Sequence, residues 1–381
     1  MIPDVAEDRM LRCRRLAERI AFAHFSAVNI GTASRFASLG ITPREFFSKD
    51  PGTVSSITGV RSKVVAAIRS EKEWKTALDE VEFIESNGIS PVWYTDDDYP
   101  SLLRECQDAP AMLYRLGEAP KAGCKTIAIV GTRHCTPYGL SFIDNLVADL
   151  ASSLSNVVIV SGMAYGADIA AHRAAVKEGI PTGGVMAEGL NRIYPADHRS
   201  DAVRIVREGG FLLTRYLSSD PTHRGHFLER NKIVAGMADA TVIVESDTHG
   251  GAMVTARLAS EYHREVLALP GRISDTYSRG CNELIFSNTA RMIRDAGDLL
   301  EAMCWVPDKR PGIQTSLMPD LSDSQVVLLQ FLRDHPSVTI NEIAVAMNLP
   351  VNEVSSRMFT LEMEGYVNAL AGGRYMVIAP V

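Results

Sequence analysis

The spacing of apolar positions changes character several times along the chain. From residue 8 to 72 they recur at helical intervals in short bursts, through Leu16, Ile20 and Phe25, then FASLGITPREFFSKD, then SITGVRSKVVAAIRS. Gly, Pro and capping residues break each burst, which predicts a module of short helices, SAM-like or helix-hairpin-helix-like, at 1–75. Two runs of strand length follow, Pro91 to Tyr94 and Met112 to Leu116. From Lys125 to about Met303, strand-length apolar runs alternate with helical stretches. TIAIVGT leads to a helix from Tyr138 to Leu154; VVIVSG, GGVMAEG, FLLTRY, TVIVES and EVLALPG are the later strands, with DIAAHRAAVKEG and VTARLASEYHR as helices among them. This alternation predicts an α/β fold, a Rossmann-like, doubly wound, mostly parallel sheet with its core at 125–303 in a domain of 76–303. Residues 304–320, CWVPDKRPGIQTSLMPD, lack periodicity and read as a linker. From 321 to 381 three helical stretches precede a strand pair around Gly372-Gly373, the order of a winged helix.

Composition narrows the possibilities. At 381 residues the chain exceeds the roughly 100–200 residues of one domain, so several cores are expected. Its six cysteines are scattered without a CxxC pair or zinc-type spacing. No run approaches the ~20 apolar residues of a membrane span. The start, MIPDVAEDRMLRCRR, lacks the apolar core of a secretion signal. A cytoplasmic location is expected, with no metal, no cofactor and no membrane contact. The net charge of −7 does not suit a protein covered in basic surface, so any nucleic-acid site must be local.

Chemistry is concentrated where strands end. Gly131-Thr132-Arg133 follows the first buried strand, where glycine allows close backbone approach, the hydroxyl donates and the guanidinium offers a fork to phosphate oxygens. The same arginine would also suit a surface ion pair. The second loop, SGMAYGADIAAHRAA, supplies Ser161, Gly162, Gly166 and Arg173, with Asp168 near a helix start and His172 as a structural rather than catalytic histidine. The third segment, THRGHFLERNKIVAGMADATVIVE, reads as a basic loop in which Arg224, Arg230 and Lys232 surround Phe227. Cations interleaved with an aromatic are what a single-strand groove needs, and a ring packed into the core is the competing reading. HGGAMVTA at 249–256 is the fourth loop. Neither GxxxxGK[ST] nor a complete GxGxxG occurs, which argues against nucleotide hydrolysis and ordinary dinucleotide binding. Asp96-Asp97-Asp98 reads as a solvated turn, and Thr58 to Lys63 as a helix N-terminus beside a packing module or, less simply, a DNA-contacting hairpin. Apolar positions around Met237 and Leu258 are candidate partner surfaces.

The strings IAIVGTR, TPYG, SGMAYGADIAAHRAA, GLNRIYPADHR, GHFLERNKIVAGMADATVIVES, GGAMVTARLASEYHREVLALPG and GCNELI occur in that order over about 125–300. Together they resemble the DNA processing protein A (DprA/Smf) family. The resemblance implies a non-catalytic protein that binds single-stranded DNA in a positive pocket, dimerises through its Rossmann-like domain, shields incoming DNA from nucleases and loads the RecA recombinase during natural transformation. Carried onto this chain, the phosphate-binding set is Gly131, Thr132, Arg133, Ser161, Gly162, Gly166 and Arg173, with Arg224, Phe227, Arg230, Asn231 and Lys232 completing the pocket. Tyr165 stands where the family commonly has arginine, and Thr214-Arg215-Tyr216 where it commonly has SEY. Tyr165 therefore removes a cation, and Arg215 is placed to return one.

The competing expectation is an enzyme resembling nucleoside-monophosphate phosphoribohydrolases, with Glu245 or Glu261 as the acid–base group. The GGAMVTA loop departs from the PGGxGT form such enzymes use. In the winged helix, three arginines against six carboxylates leave a charge of −3. An acidic recognition helix is poorly suited to duplex DNA and points to a protein-contacting or regulatory module.

Overall fold

A computed structural model describes residues 5–24, 28–308, 323–335, 338–363, 366–370 and 374–377. The chain divides into two compact units, Met1–Gly312 and Ile313–Val381.

The first unit opens with six helices: α1 (Val5–His24), α2 (Ile30–Ser38), α3 (Pro43–Ser48), α4 (Pro51–Thr58), α5 (Ser62–Ile68) and α6 (Glu71–Asn87). Their boundaries follow local chemistry. Thr42 and Asp50 accept backbone N–H groups at the starts of α3 and α4, each followed by proline, and Gly59 at φ 74° ends α4 in the left-handed conformation. Phe22, Phe36, Phe46 and Ile41 form the centre of this module and pack with Trp93 and Tyr114 of the sheet.

The sheet strands are β1 (Ser90–Trp93), β2 (Met112–Gly117), β3 (Lys125–Val130), β4 (Val157–Ser161), β5 (Thr182–Val185), β6 (Phe211–Thr214), β7 (Ala240–Ile243), β8 (Glu265–Ala268) and β9 (Arg291–Met292). Helices between them are α7 (Ser101–Arg104) after β1, α8 (Pro137–Ser153) after β3, α9 (Ala167–Lys177) after β4 and α10 (Arg199–Arg207) after β5. They continue with α11 (Arg224–Met237) after β6, α12 (Gly251–Glu261) after β7, α13 (Arg279–Phe286) after β8 and α14 (Ala296–Ala302) after β9. The order is β1-β2-β6-β5-β4-β3-β7-β8-β9. All pairs from β6 to β9 are parallel, whereas β1 with β2 and β2 with β6 are antiparallel.

Ile127, Ile129, Ile159 and Val242 point to one face, under α8, α9 and α14; Ala128, Val130, Val160 and Ile243 point to the other, under α11 and α12. A sheet covered on both faces needs continuous apolar strands, and β3 and β4 are almost fully buried. Met237 is buried and Leu258 packs against the same core, so neither marks an open partner surface.

Two expectations require correction. The segment around Phe227 is not a loop: α11 runs through it for 14 residues. The next helix begins at Gly251, ahead of the expected Val254. The Asp96-Asp97-Asp98 segment is a largely exposed turn, as expected, with Asp96 accepting the Trp93 N–H at 2.8 Å and Asp98 pairing with Arg115 at 2.9 Å.

The second unit contains α15 (Asp323–Asp334), β10 (Val338–Thr339), α16 (Ile340–Met347), α17 (Val351–Met363), β11 (Val367–Leu370) and β12 (Arg374–Val377), with strand order β10-β12-β11. Leu329, Ile343, Met358 and Leu361 form its core, and Thr339 with Glu342 makes a reciprocal capping box at α16. In α17, the recognition-helix position, Arg357 is paired with Glu353, while Phe359 and Met363 are exposed. The Gly372-Gly373 turn and most of the expected linker lie outside the described residues.

Candidate nucleic-acid interface

The chain lays β4, β5 and β6 successively to one side of β3, then crosses to place β7 on the other. Loops leaving the carboxyl ends of β3 and β7 therefore diverge, and the crevice between them is where open α/β sheets bind ligands. A solvent-open cleft of about 1060 Å³ lies there. The loop after β3 contributes Gly131 to His134, the loop after β7 contributes Ser246, Asp247 and the start of α12, and α11 forms another wall. The α11 residues lining it are Phe227, Leu228, Arg230, Asn231 and Val234, of which Phe227, Arg230, Asn231 and Val234 share one helical face at i, i+3, i+4 and i+7.

Backbone hydrogen bonds fix this rim. Thr132 N–H donates to the Glu245 carbonyl at 2.6 Å, and Ala167 N–H donates to the Thr132 carbonyl at 3.2 Å. A β-carbon on Gly166, whose φ is 76°, would collide with the Thr132 and Arg133 backbone. Glycine at that position lets the start of α9 lie against the β3 loop. The Thr132 hydroxyl accepts from His134 N–H at 3.1 Å, turning the loop back on itself.

Arg133 is exposed, and its guanidinium carbon sits 6.0 Å from the Phe227 ring centroid. Phe227 in turn meets Tyr194 edge-on at 5.9 Å. A second pair, His134 and Tyr277, stacks at 5.9 Å with planes 24° apart. Arg230 is buried, with Nη1 3.5 Å from Asp168 and Nε without a hydrogen-bond partner. The start of α12 at Gly251 and Ala252 also lines the cleft, bringing backbone N–H groups and the positive end of the helix dipole to it. The lining thus offers two guanidiniums, a helix N-terminus and aromatic faces, opposed by Asp168 and Asp247.

A narrow recess adjoins the cleft and shares Arg133, Phe227 and Arg230 with it. Tyr165 and Tyr194 are exposed at its mouth, and Glu188 lies buried. Burial pushes the Glu188 carboxyl up from the ordinary range, against the pull of the Tyr194 N–H and Arg230. The Tyr165 hydroxyl donates to Asp197 at 2.7 Å, so tyrosine at this position presents a ring rather than a charge.

A family model described as DNA recombination-mediator protein A matches residues 90–304, more than half of the chain, and the DprA winged helix domain model matches 314–373. This chain belongs to the DNA recombination-mediator protein A family. Its similarity extends beyond the matched domain. The putative DNA processing protein DprA of Mycobacterium tuberculosis is 33% identical over 330 residues, covering 81% of this chain and 82% of that protein. Protein Smf of Escherichia coli is 32% identical over 281 residues, covering 72% and 74%. The crystal structure of DNA processing protein A from Streptococcus pneumoniae superposes with a TM-score of 0.61 at 26% identity, covering 75% of this chain and 97% of that one.

Not every residue marked by the family resemblance faces the cleft. Gly131, Thr132, Arg133, Phe227, Arg230 and Asn231 do. Gly162 and Gly166 shape it from beneath, whereas the Ser161 hydroxyl is buried and donates to the Ile129 carbonyl at 2.6 Å. Arg173 forms a two-point pair with Asp201 at 2.9 and 3.0 Å. Lys232 is held by Glu229 at 3.1 Å and Asp108 at 3.4 Å, and Arg215 by Glu229 at 3.2 Å. Arg224 is exposed at the start of α11 but does not line the cleft. The pocket is consequently less basic than the resemblance implies, and Arg215 does not replace the cation lost at Tyr165.

The groups considered for enzymatic chemistry do not line the cleft. Glu245 accepts the Thr136 N–H at 2.7 Å and its hydroxyl at 2.6 Å, securing the start of α8. Glu261 is exposed at the far end of α12 from the cleft. His172 is buried between the Thr182 hydroxyl and the Gly162 carbonyl, each at 2.7 Å.

Proposed function

We propose that this family member binds single-stranded DNA in the cleft between β3, β7 and α11, without chemical turnover. It acts as a homodimer, shielding the strand from nucleases and passing it to the RecA recombinase. The observation carrying the proposal is Arg133 over Phe227 at the mouth of the cleft, opposite the amides that open α12. A phosphate between guanidinium and helix N-terminus leaves its base beside an aromatic face, and bases in single strands expose such faces freely. Membership of the recombination-mediator family supports the hand-over to a recombinase, and the engagement of Glu245 with Thr136 supports binding rather than catalysis.

The test is fluorescence anisotropy with labelled oligo-dT and a matched duplex across a salt series, for the native chain and an Arg133→Ala/Phe227→Ala variant. Preference for the single strand, weakened by salt and lost in the variant, is expected. Equal affinity for both DNAs, unchanged in the variant, overturns the assignment. RecA filament formation on DNA coated with a single-strand-binding protein tests the loading step. No acceleration by this chain removes that part of the proposal.

A further inference from the structure

Within an acidic chain, α1 collects five arginines between residues 9 and 19. Arg12, Arg15 and Arg19 lie at i, i+3 and i+7 and so share one side of the helix. That side forms a wall of an open groove of about 1200 Å³. Arg44 of α3 stands across from it, with Leu16, Pro43 and Pro91 completing the apolar part of the lining. The groove is a separate feature from the cleft. Pro91 belongs to β1, five strand positions from β3, which at ~4.8 Å per strand is about 24 Å across the sheet.

Two of the groove arginines, Arg15 and Arg44, are not consumed by ion pairing. Among the described residues, both are exposed and form no ion pair. Glu18, the acidic member of the lining, is largely buried and lies 3.5 Å from Arg14. Arg19 lies over the Trp93 ring at 5.6 Å and reaches Asp96 only at 3.8 Å. We propose that this groove is a second nucleic-acid contact, gripping the phosphate backbone of a strand that extends beyond the cleft. Guanidiniums are suited to this because each presents a planar fork of donors to phosphate oxygens. Neighbouring positions on a helix face stand about 5–6 Å apart, on the scale of successive phosphates in an extended strand. Among the described residues no aromatic ring lines the groove, so it lacks a platform for bases and would hold any sequence. An acidic peptide is the less favoured occupant, because Leu16, Pro43 and Pro91 offer little pocket for the apolar anchors that give peptide sites their affinity.

The proposal deepens the single-strand reading and is tested separately from it. Anisotropy is measured on the full chain with labelled oligo-dT of about six nucleotides, a length one groove can hold, and of about thirty. The proteins are the native chain, Arg15→Ala/Arg44→Ala, and the cleft variant Arg133→Ala/Phe227→Ala. For the groove variant, an unchanged thermal midpoint and unchanged short-oligonucleotide affinity are expected. Its long-oligonucleotide affinity should fall roughly tenfold, with the salt slope reduced by about 1.4, near 0.7 for each lost phosphate contact. Unchanged long-oligonucleotide affinity and slope overturn the groove while leaving the cleft standing. Loss in the groove variant with none in the cleft variant retains the groove and overturns the cleft. If the native chain binds neither oligonucleotide, both readings fall. Labelled polyglutamate that binds the native chain but not the groove variant, with DNA binding unaltered, assigns the groove to an acidic protein instead.

Discussion

The Arg230 guanidinium occupies the space that a β-carbon on Gly162 would fill, with the Asp168 carboxylate alongside. Neither residue's role is separable from the other: glycine at the end of β4 makes room for a cation on α11. Gly162→Ala should expel Arg230 and leave Asp168 buried without its partner, costing about 2–4 kcal/mol of stability. Urea unfolding measures this, and a change below about 0.5 kcal/mol would show that the guanidinium has somewhere else to go.

Arg133 and Lys232 make a sharper contrast than their common charge suggests. Arg133 is exposed at the cleft, whereas Lys232 spans Asp108 and Glu229. Arg133→Ala should lower the slope of log affinity for single strands against log salt by about 0.7, and Lys232→Ala should leave it unchanged. Equal effects on the slope would return Lys232 to the binding surface.

Phe227 is half-buried and meets Tyr194 edge-on, so its removal should be tolerated by the fold. Phe227→Ala should cost about 1–3 kcal/mol of oligo-dT affinity, and Phe227→Trp should retain most of it. Matching losses for alanine and tryptophan would mean that ring shape, rather than an aromatic face, is what matters.

His24 at the end of α1 bridges Glu73 through Nδ1 at 3.1 Å and Asp220 through Nε2 at 2.9 Å. The hydrogen bond to Asp220 lifts its pKa above the ordinary 6.5 against the opposing effect of burial. Because the folded value is the higher one, the stabilisation is complete below the unfolded pKa and is lost as pH rises through the folded value. His24→Gln should therefore lower the thermal midpoint more at pH ~6 than at pH ~9. The same loss at both pH values would mean that the imidazolium contributes nothing beyond packing.

The strands of the parallel core are legible in the sequence because burial on both faces demands uninterrupted apolar runs, as in TIAIV and VVIV. α11 is not, because its second half is buried nearly all round while its first half mixes Phe227 with charged residues, so no single apolar stripe emerges. Gly250-Gly251 hides the start of α12 for a related reason, glycine being a poor helix former that nonetheless opens this one. Within the cleft, Gly131 to Arg133 could be read from their place after a buried strand. Tyr194 and Glu188 come from irregular segments between elements and Tyr277 from a single 3-10 turn, Thr276–Ser278, where no periodicity announces them. Nor does local sequence reveal that Lys232 is claimed by Asp108, more than a hundred residues earlier.

The hydrogen bonds tying Thr132 to Glu245 and Ala167 join the ends of β3 and β7 to the start of α9 before any ligand arrives. A rim already locked in this way loses little conformational freedom on binding. If the cleft binds single-stranded DNA as proposed, the ordering cost of association falls on the DNA, whose single strand must abandon many shapes for one. Strands stiffened by self-stacking or folded into hairpins should accordingly bind more slowly than flexible ones, with the protein serving as the rigid mould.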